Sequence, residues 1–405
     1  MATISKSIQG GEFLIRDTEA QAIFIPEEFT EEQLMMAQAC QDFIDTEITP
    51  NIEEIDGMKN PDLVPSIFKK AGELGLLGIT VPEEYGGLGM SFNTSMLIAD
   101  IIGAAGSFST TYGAHTGIGT LPILYYGSEE QKQKYLIPLA KGEIIGAFCL
   151  SEPEAGSDAT SQQTEALDKG DHYLLNGTKN WITNGSSASV YLVIAQTNRE
   201  AGHRGINALI IERGMEGFIV GAKEDKMGIR GSDTHTLIFN DVKVPKENRI
   251  GEDGFGFKFA MKVLSGGRIG IAAQALGIAG GGFELALAYS KERKAFGKEI
   301  YKHQAIAFKL ADMATEIEAA KLLVYKAALD KDAGRNYDQS SAMAKLYASK
   351  VAMEQTVEAV QIHGGYGFVK EYHVERLMRD AKITQIYEGT SEVQKIVISR
   401  GVLNA

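Results

Sequence analysis

The sequence predicts a mainly α-helical protein with a β domain in the middle of the chain. Apolar residues recur at three- and four-residue spacing from about 27 to 145, and this helical spacing returns from 251 onward. Between them, β-prone runs bounded by turn residues fill 146–250. We therefore predict a loosely ordered N-terminal arm at 1–26, a helical domain at 27–145, a β-barrel-like or sandwich domain at 146–250 and a four-helix bundle at 251–405.

The N-terminal segment carries two signals for the start of a helix. Thr30 precedes Gln33 by three residues at the beginning of "TEEQLMMAQACQDFIDTEI", and Ser128 opens the polar stretch "SEEQKQKYLIPLAKGE". Hydroxyl side chains in this position accept hydrogen bonds from the first free amides of a helix. We predict that helices begin directly after Thr30 and Ser128.

The middle segment carries a strong turn signal. Asn176-Gly177 lies between apolar, β-prone residues in "HYLLNGTKNWITNG", a pattern that predicts a type I′ hairpin turn. Three further runs, "ASVYLVIAQT", "INALIIERG" and "THTLIFNDVKVP", are typical of strands.

The C-terminal segment contains a long apolar stripe. Its members alternate steps of four and three residues, which suits one helix of an antiparallel bundle: Ile306, Leu310, Met313, Ile317, Ala320 and Val324. The glycine-rich "GIAGGGFELA" follows no strand, so a dinucleotide-binding fingerprint is not indicated. We expect Gly277 and its neighbours to permit close packing of helices.

Composition excludes several classes of function. A net charge of −13 argues against wrapping nucleic acid, which needs clustered cations. The two cysteines, Cys40 and Cys149, are isolated, so neither a disulfide framework nor a metal site is expected. The histidines show no zinc-ligand spacing, and no Gly-x-Ser-x-Gly hydrolase elbow is present. With no targeting peptide and no apolar run near the ~18 residues of a membrane span, we expect a cytoplasmic protein.

The stretch "QIYEGTSEVQK" presents a carboxylate where a helix begins. Glu388 lies between Tyr387 and Gly389, and the spacing of Ser391 and Gln394 resembles a capping box. A Glu-Gly pair in a surface turn is one interpretation. The other is a carboxylate aimed by a glycine hinge at a bound molecule.

Three other stretches have both an ordinary and a functional interpretation. "FCLSEPEAGSD" (148–158) is an ordinary loop, or a set of hydroxyls and amides that recognise a polar heterocycle. Trp181 packs in a core, or covers one face of a ring whose edge bonds Thr183. Arg293 in "ERKAFGK" suits a pyrophosphate, and "GGYGF" (364–368) offers backbone amides as well as a helix cap.

Taken together, these stretches resemble the acyl-CoA dehydrogenase family. The matching segments occur in family order: "FCLSEPEAGSD", "KNWITNG", "KMGIRGSDTHTLIFNDVKVP", "ERKAFGK", "QIHGGYGF" and "RLMRDAKITQIYEGTSEVQK". "GLLGITVPEEYGGLGM" (75–90) adds a match near the N-terminus. The N-terminal half looks nearer to the very-long-chain branch and the C-terminal half nearer to short-chain members.

The resemblance implies FAD-dependent α,β-dehydrogenation of saturated fatty acyl-CoA thioesters to trans-2-enoyl-CoA, as in fatty-acid β-oxidation. Glu388 is then the general base, the hydride goes to flavin N5, and an electron-transferring flavoprotein accepts the electrons. The residues that match family contacts to FAD are Phe148, Leu150, Ser151, Ser157, Trp181, Thr183, Thr390 and Glu392. A homotetramer or homodimer is implied, because four further contacts reach the FAD of a neighbouring subunit: Arg293, Phe296, Gln361 and Gly365. The implied substrate contacts are Ser157, Leu264, Arg268 and Gly389.

Other features refine these expectations. In "LSGGRIGIAA" (264–273), where some relatives carry the base, there is no acid, so Glu388 has no rival. Its place at a helix start predicts a lowered pKa in the free protein, raised only when an acyl chain expels water. Small residues at Gly113, Ala114 and Gly117 indicate a deep acyl pocket. Two alternatives are an acyl-CoA oxidase and a non-enzymatic flavin-binding relative.

Overall fold

The computed structural model describes residues 29–403, so the arm predicted at 1–26 lies outside the described residues. Its first part is helical: α1 (Glu31–Phe43), α2 (Ile52–Gly57), α3 (Leu63–Glu73), α4 (Phe92–Gly103), α5 (Ser107–Gly113), α6 (Leu121–Tyr126) and α7 (Glu129–Ala140). The hydroxyl of Thr30 accepts from the Gln33 amide, and that of Ser128 accepts from the Gln131 amide, each at 3.2 Å. In both cases the glutamine bonds back to the cap amide, so the two predicted helix starts are confirmed.

The middle part is one mixed sheet. Its strands are β1 (Gly146–Cys149), β2 (Glu165–Asp168), β3 (His172–Thr183), β4 (Val190–Gln196), β5 (Ile206–Glu212), β6 (Phe218–Lys223), β7 (Thr234–Pro245) and β8 (Arg249–Ile250). They are ordered β6-β7-β3-β2-β4-β5-β8, and β1 pairs in parallel with β4. Strand β4 is buried along its whole length, since it lies in the centre of the sheet.

The predicted hairpin at Asn176-Gly177 is wrong. Strand β3 runs straight through this pair and bonds to β7, with a bulge between Leu175 and Gly177. The Asn176 side chain exchanges two hydrogen bonds with Asp241 on β7, at 2.9 and 2.8 Å. A Cβ at Gly177 would lie 2.6 Å from the Thr164 hydroxyl, so the glycine serves a close approach within the sheet. Pairing along a twelve-residue strand outweighs the local turn preference.

The last part is a helical bundle: α8 (Gly256–Glu292), α9 (Gln304–Asp332), α10 (Asp338–His363), α11 (Val374–Ile383) and α12 (Ser391–Leu403), with a short ribbon of β9 (Lys294–Ala295) and β10 (Lys298–Glu299). The predicted stripe lies on α9, and none of its six residues is exposed. A Cβ at Gly277 would lie 1.8 Å from the Asp100 carbonyl oxygen, which confirms that this glycine lets α4 cross α8 closely.

Helix α8 departs from the expectation about membrane spans. Its most apolar 18-residue window has a mean hydropathy of 1.4, enough for a span by length and composition. In the structure 56% of that window is buried inside the protein. This burial is that of a core helix of the bundle.

Candidate active site

Glu388 lies in a turn between α11 and α12, which we call the Glu388 turn (Tyr387–Thr390). Its backbone has φ of +55°, and Gly389 follows with φ of +88°. Glycine adopts such angles freely, whereas a glutamate is strained in them. Strain of this kind persists only where the surroundings hold it, and it clusters at functional sites.

Two buried side chains hold the carbonyls of this turn. Gln394 Nε2 donates to the carbonyls of Glu388 and Gly389, at 3.2 and 2.8 Å. Lys345 Nζ on α10 donates to the Gly389 carbonyl at 2.7 Å. Both side chains are fully buried. The strained turn is therefore fastened from within the bundle.

The predicted capping box of Ser391 and Gln394 is wrong. The cap of α12 is Thr390, whose hydroxyl accepts from the Val393 amide at 3.3 Å. Ser391 instead donates to the Gln385 carbonyl, and Gln394 points back at the turn. The two residues have the right spacing, but the left-handed backbone before them moves the helix start by one residue.

The carboxylate of Glu388 points inward. The residue is half-buried as a whole, but its Oε1 is inaccessible to solvent and has no hydrogen-bond partner among residues 29–403. It faces Gly267 on α8, where an added Cβ would lie 1.8 Å from this oxygen. The absence of a side chain at Gly267 makes room for the carboxylate.

The pKa of Glu388 is raised to about 7, in contrast to the lowered value expected for the free protein. Burial is the largest cause, and the positive charges of Arg268 and Lys345 oppose it. The expectation was wrong because Oε1 is already removed from water without a substrate, and removal from water outweighs the helix start. A carboxyl group with this pKa can both take up and release a proton near neutral pH.

A chain of hydrogen bonds joins this turn to helix α5. The Tyr387 hydroxyl donates to Gln274 Oε1, and Gln274 Nε2 donates to the hydroxyls of Ser109 and Thr110 at 2.7 and 2.9 Å. On the same helix, the carbonyl of Thr111 accepts from Asn184 Nδ2 at 3.2 Å. Asn184 directly follows β3, so α5 connects the Glu388 turn with the end of that strand.

The end of β3 is tied in turn to the loop that contains Ser151. The Asn180 amide donates to the Ser151 carbonyl at 2.9 Å. Beneath it, the fully buried ammonium of Lys179 contacts Glu152 Oε1 at 2.7 Å and the Leu150 carbonyl at 3.0 Å. The structure thus brings together segment 148–158 and segment 179–185, which the sequence predicts to share a ligand.

The side chains of these two segments differ in exposure. Phe148 is buried, Leu150, Ser151 and Thr183 are half-buried, and Ser157 is exposed. Trp181 has φ of +58° at a bulge of β3, and its side chain is 58% exposed. A strained tryptophan turned away from the core leaves an aromatic face open, which disagrees with an ordinary packing role.

Replacing Lys179 by methionine is expected to lower the free energy of unfolding by about 3–5 kcal/mol, because Glu152 is left buried without its partner. Chemical denaturation measures the loss. The double variant Lys179→Met with Glu152→Leu should recover most of it, and Lys243→Met, at an exposed site on β7, should stay within about 0.5 kcal/mol of the original. Equal stability of Lys179→Met and the original chain would show that the pair does not hold the loop.

The four residues expected to reach a neighbouring subunit lie on the surface, apart from this group. Arg293, Phe296, Gln361 and Gly365 are all exposed. The ring of Phe296 is 96% exposed on a backbone with φ of +52°. The Arg293 guanidinium lies 5.3 Å from the centre of the Tyr366 ring, so β9 and the 364–368 turn are adjacent. Thr390 and Glu392 line a separate cavity of about 750 Å³ together with residues of α9 and α10.

Of the other predicted substrate residues, Leu264 and Arg268 lie on α8 on either side of the Ser265–Gly267 stretch, and Gly389 belongs to the Glu388 turn. Leu264 is half-buried, and Arg268 is buried with its Nε lacking a hydrogen-bond partner. Ser265, between them, donates to Asp338 Oδ1 at 2.7 Å. A Cβ at Gly113 or Gly117 would meet no atom within 4 Å, so open space lies beside both glycines.

Comparison with known proteins agrees with this geometry. The family models of acyl-CoA dehydrogenase match residues 30–143 (N-terminal domain), 147–242 (middle domain) and 254–403 (C-terminal domain). A short-chain specific acyl-CoA dehydrogenase of Clostridium acetobutylicum is 51% identical over 371 residues, which is 91% of this chain and 97% of the relative. The chain belongs to the acyl-CoA dehydrogenase family.

Two solved structures extend the comparison. An acyl-CoA dehydrogenase of Bacillus anthracis, complexed with FAD, is 39% identical with a TM-score of 0.93, over 98% of this chain and 71% of that one. A chain from structural work on the electron transferring flavoprotein of Acidaminococcus fermentans is 49% identical with a TM-score of 0.91, over 94% of this chain and 100% of that one. The fold is therefore that of an acyl-CoA dehydrogenase, as the sequence predicts.

Sequence reasoning missed several residues of this acyl-CoA dehydrogenase site. Lys345, Gln274 and Gln394 all form hydrogen bonds with the Glu388 turn. Lys345 and Gln274 belong to no motif in the sequence, and Gln394 was predicted only as part of a helix cap. The available signal is their position on an apolar helix face, where a polar residue needs a buried partner. A polar residue on an apolar helix face indicates that a buried hydrogen-bond partner exists, but the sequence does not identify which residue that partner is.

Proposed function

We propose that this acyl-CoA dehydrogenase oxidises saturated fatty acyl-CoA thioesters to trans-2-enoyl-CoA, with Glu388 as general base. The observation that carries the proposal is the Glu388 carboxyl group. The backbone of Glu388 is strained, Oε1 of its carboxyl group is removed from water and has no hydrogen-bond partner among residues 29–403, and burial raises the pKa of the group to about 7. An unpartnered carboxylate is costly inside a protein, and its use is to receive a proton from a bound substrate.

FAD is the cofactor, as in the B. anthracis relative, and the residues fit it. Trp181 offers an open ring face, and the half-buried Thr183 and Ser151 carry hydroxyls on the two segments that the Asn180–Ser151 bond joins. These residues, with Phe148, Leu150 and Ser157, would hold the isoalloxazine ring, and Thr390 and Glu392 would approach the same cofactor. When bound, FAD supplies the acceptor, at N5, for the hydride that leaves the substrate β-carbon.

The chain's own residues would position the thioester and move the α-proton. Leu264 and Arg268 line the approach along α8, and Gly389 lets the backbone pass close to the thioester. The amide of Glu388 donates to no acceptor among the described residues, so it is available to a carbonyl that gains negative charge. Glu388 would take the proton from the α-carbon, between the thioester and the cofactor.

We infer a homotetramer or a homodimer, because Arg293, Phe296, Gln361 and Gly365 are exposed and apart from the other FAD residues. A phenylalanine that is 96% exposed is unusual on a surface that faces only water. In an oligomer these residues would reach the FAD of the adjacent subunit. The domain limits at 145 and 250, and a cytoplasmic location, remain proposals; two free, buried thiols support a reducing compartment.

The acyl chain is proposed to be short. The C. acetobutylicum relative is named short-chain specific, and its match extends over both halves of this chain. A second candidate, longer acyl chains, is favoured by the open space beside Gly113 and Gly117, where an added Cβ would meet no described atom within 4 Å. The resemblance of the N-terminal half to the very-long-chain branch also stays a prediction, and it too would favour longer acyl chains.

Anaerobic mixing with acyl-CoAs of graded length tests the proposal. Purified holoenzyme should bleach its flavin absorbance with saturated acyl-CoAs, and the most rapid length class identifies the substrate. An electron-transferring flavoprotein, the proposed acceptor, should then reoxidise the enzyme faster than air does; rapid reoxidation by air would instead indicate an oxidase. No bleaching with any acyl-CoA would favour the non-enzymatic relative.

The pH dependence follows from the pKa of Glu388. The base must be ionised, so kcat/KM for flavin reduction should fall about tenfold per pH unit below about 7 and level off above it. Stopped-flow reduction between about pH 5.5 and about pH 9, a range chosen to lie on both sides of that pKa, measures it. A profile that stays level down to the pKa of an ordinary glutamate would contradict the burial argument.

A further inference from the structure

Lys345 is a buried cation without an ion-pair partner. It lies on α10 with none of its surface exposed, and its Nζ donates to one described acceptor, the Gly389 carbonyl at 2.7 Å. Among residues 29–403, no carboxylate lies within ion-pair distance of it. Burying an ammonium against a neutral carbonyl is unfavourable, so a contribution to stability does not explain why Lys345 is buried at this position.

The bond from Lys345 acts on the strained part of the Glu388 turn. Gly389 has a left-handed backbone, which turns its carbonyl into the bundle toward Lys345 and Gln394. The two donors together fix the direction of the chain directly after Glu388. Gln394 holds the Gly389 carbonyl in place without carrying a charge, whereas Lys345 holds the same carbonyl and also carries a positive charge.

The charge of Lys345 acts on the carboxylate. The charged groups that face Glu388 are Arg268 on α8 and Lys345 on α10; Glu392, on α12, faces Lys345. Helix α5 presents the uncharged Thr110 to Tyr387, which also faces Asp380 on α11. Burial lowers the pKa of Lys345 to about 8; the charge of Glu388 works against that decrease, the charge of Arg268 adds to it, and the charge of Glu392 works against it. Each group thus favours the charged form of the other.

We propose that Lys345 is a positioning residue of the reaction, whose ammonium fixes the Gly389 carbonyl and keeps the Glu388 carboxylate ionised and facing Gly267. The inference rests on the proposed function of Glu388 as base. In this proposal Lys345, a buried cation far from Glu388 in the sequence, determines both the direction and the protonation state of the carboxylate that acts as the base.

The test compares Lys345→Met, Lys345→Gln and the control Lys69→Met. Lys69 lies on α3 and is exposed. The kcat/KM profile for flavin reduction should shift up by about one pH unit in both Lys345 variants, a roughly tenfold loss below the shifted pKa. Lys345→Met should also lose rate on the high-pH plateau, because it cannot donate to Gly389. Lys69→Met should match the original profile.

A second measurement does not depend on turnover. The infrared band of the protonated Glu388 carboxyl, identified by its loss in Glu388→Gln, should titrate at a higher pH in Lys345→Gln than in the original protein. Unchanged titration and an unchanged rate profile in that variant would overturn the inference. If Lys345→Met does not fold, Lys345→Gln decides the question alone.

The same set separates this inference from the proposed function. If Glu388→Gln still reduces flavin at a near-normal rate, the base assignment fails and the inference fails with it. If Glu388→Gln is inactive while both Lys345 variants keep the original profile, the base assignment stands and only the role of Lys345 is overturned.

Discussion

Glu388→Gln is expected to lower the rate of flavin reduction by about 10³-fold or more, while the protein keeps FAD and still binds acyl-CoA. Glutamine has nearly the shape of glutamate but cannot accept the α-proton, and a positioned base contributes roughly 10²–10⁴-fold. No other acid occurs in 264–273, the stretch of α8 that faces the turn, so no carboxylate there replaces it. Anaerobic stopped-flow reduction by butyryl-CoA measures the effect.

The same substitution should not destabilise the fold. A buried carboxyl with a raised pKa contributes stability that is present below its ordinary value of 4.5 and is lost as the pH rises through about 7. At pH 8 the ionised form is therefore unfavourable in the folded protein, and a neutral glutamine avoids this. Thermal unfolding at about that pH should give a melting temperature at least as high as that of the original. Near-normal reduction in a stable variant would remove Glu388 from the mechanism.

Glu388 could be singled out from the sequence, but its surroundings could not. The local cues were an acid beside a glycine and a resemblance that extends along the chain. The features that give the carboxyl its chemistry come from other helices: the gap at Gly267, the charges of Arg268 and Lys345, and the two bonds from Gln394. Such contacts join distant parts of the chain, so local spacing does not encode them.

Backbone strain marks three of the predicted site residues. Trp181, Phe296 and Glu388 all have positive φ, which these residue types rarely adopt. Sequence propensity argues against left-handed backbone at each of them, so it could not predict this. The strain persists because tertiary bonds outweigh it, such as those from Lys345 and Gln394 to the Glu388 turn.

The two local errors have the same origin. Asn176-Gly177 and the Ser391–Gln394 spacing are good short-range signals for a turn and a helix cap. In the first case pairing of β3 with β7 keeps the strand straight, and in the second the left-handed turn moves the cap to Thr390. At Thr30 and Ser128 the predictions are confirmed, and there the long-range bonds from Gln33 to Thr94 and from Gln131 to Glu247 agree with the local signal.

Gly267→Ala is expected to disable the base while the protein remains folded. The new Cβ would lie 1.8 Å from Glu388 Oε1, so one of the two must move. The carboxylate is the end of a flexible side chain, whereas Gly267 belongs to the core helix α8, so the carboxylate will be displaced. A displacement of about 1 Å in a reacting group costs on the order of 10²-fold in rate. We expect that loss in flavin reduction.

The control for this substitution is Gly280→Ala on the same helix, where an added Cβ meets no atom within 4 Å. It should leave the rate unchanged and, because alanine favours helix, the melting temperature equal or higher. Combining Gly267→Ala with Glu388→Gln should give no loss beyond that of Glu388→Gln, since both act through one carboxylate. A normal rate in Gly267→Ala would mean that Glu388 does not work from the position it occupies against α8, and the base would have to act from another rotamer.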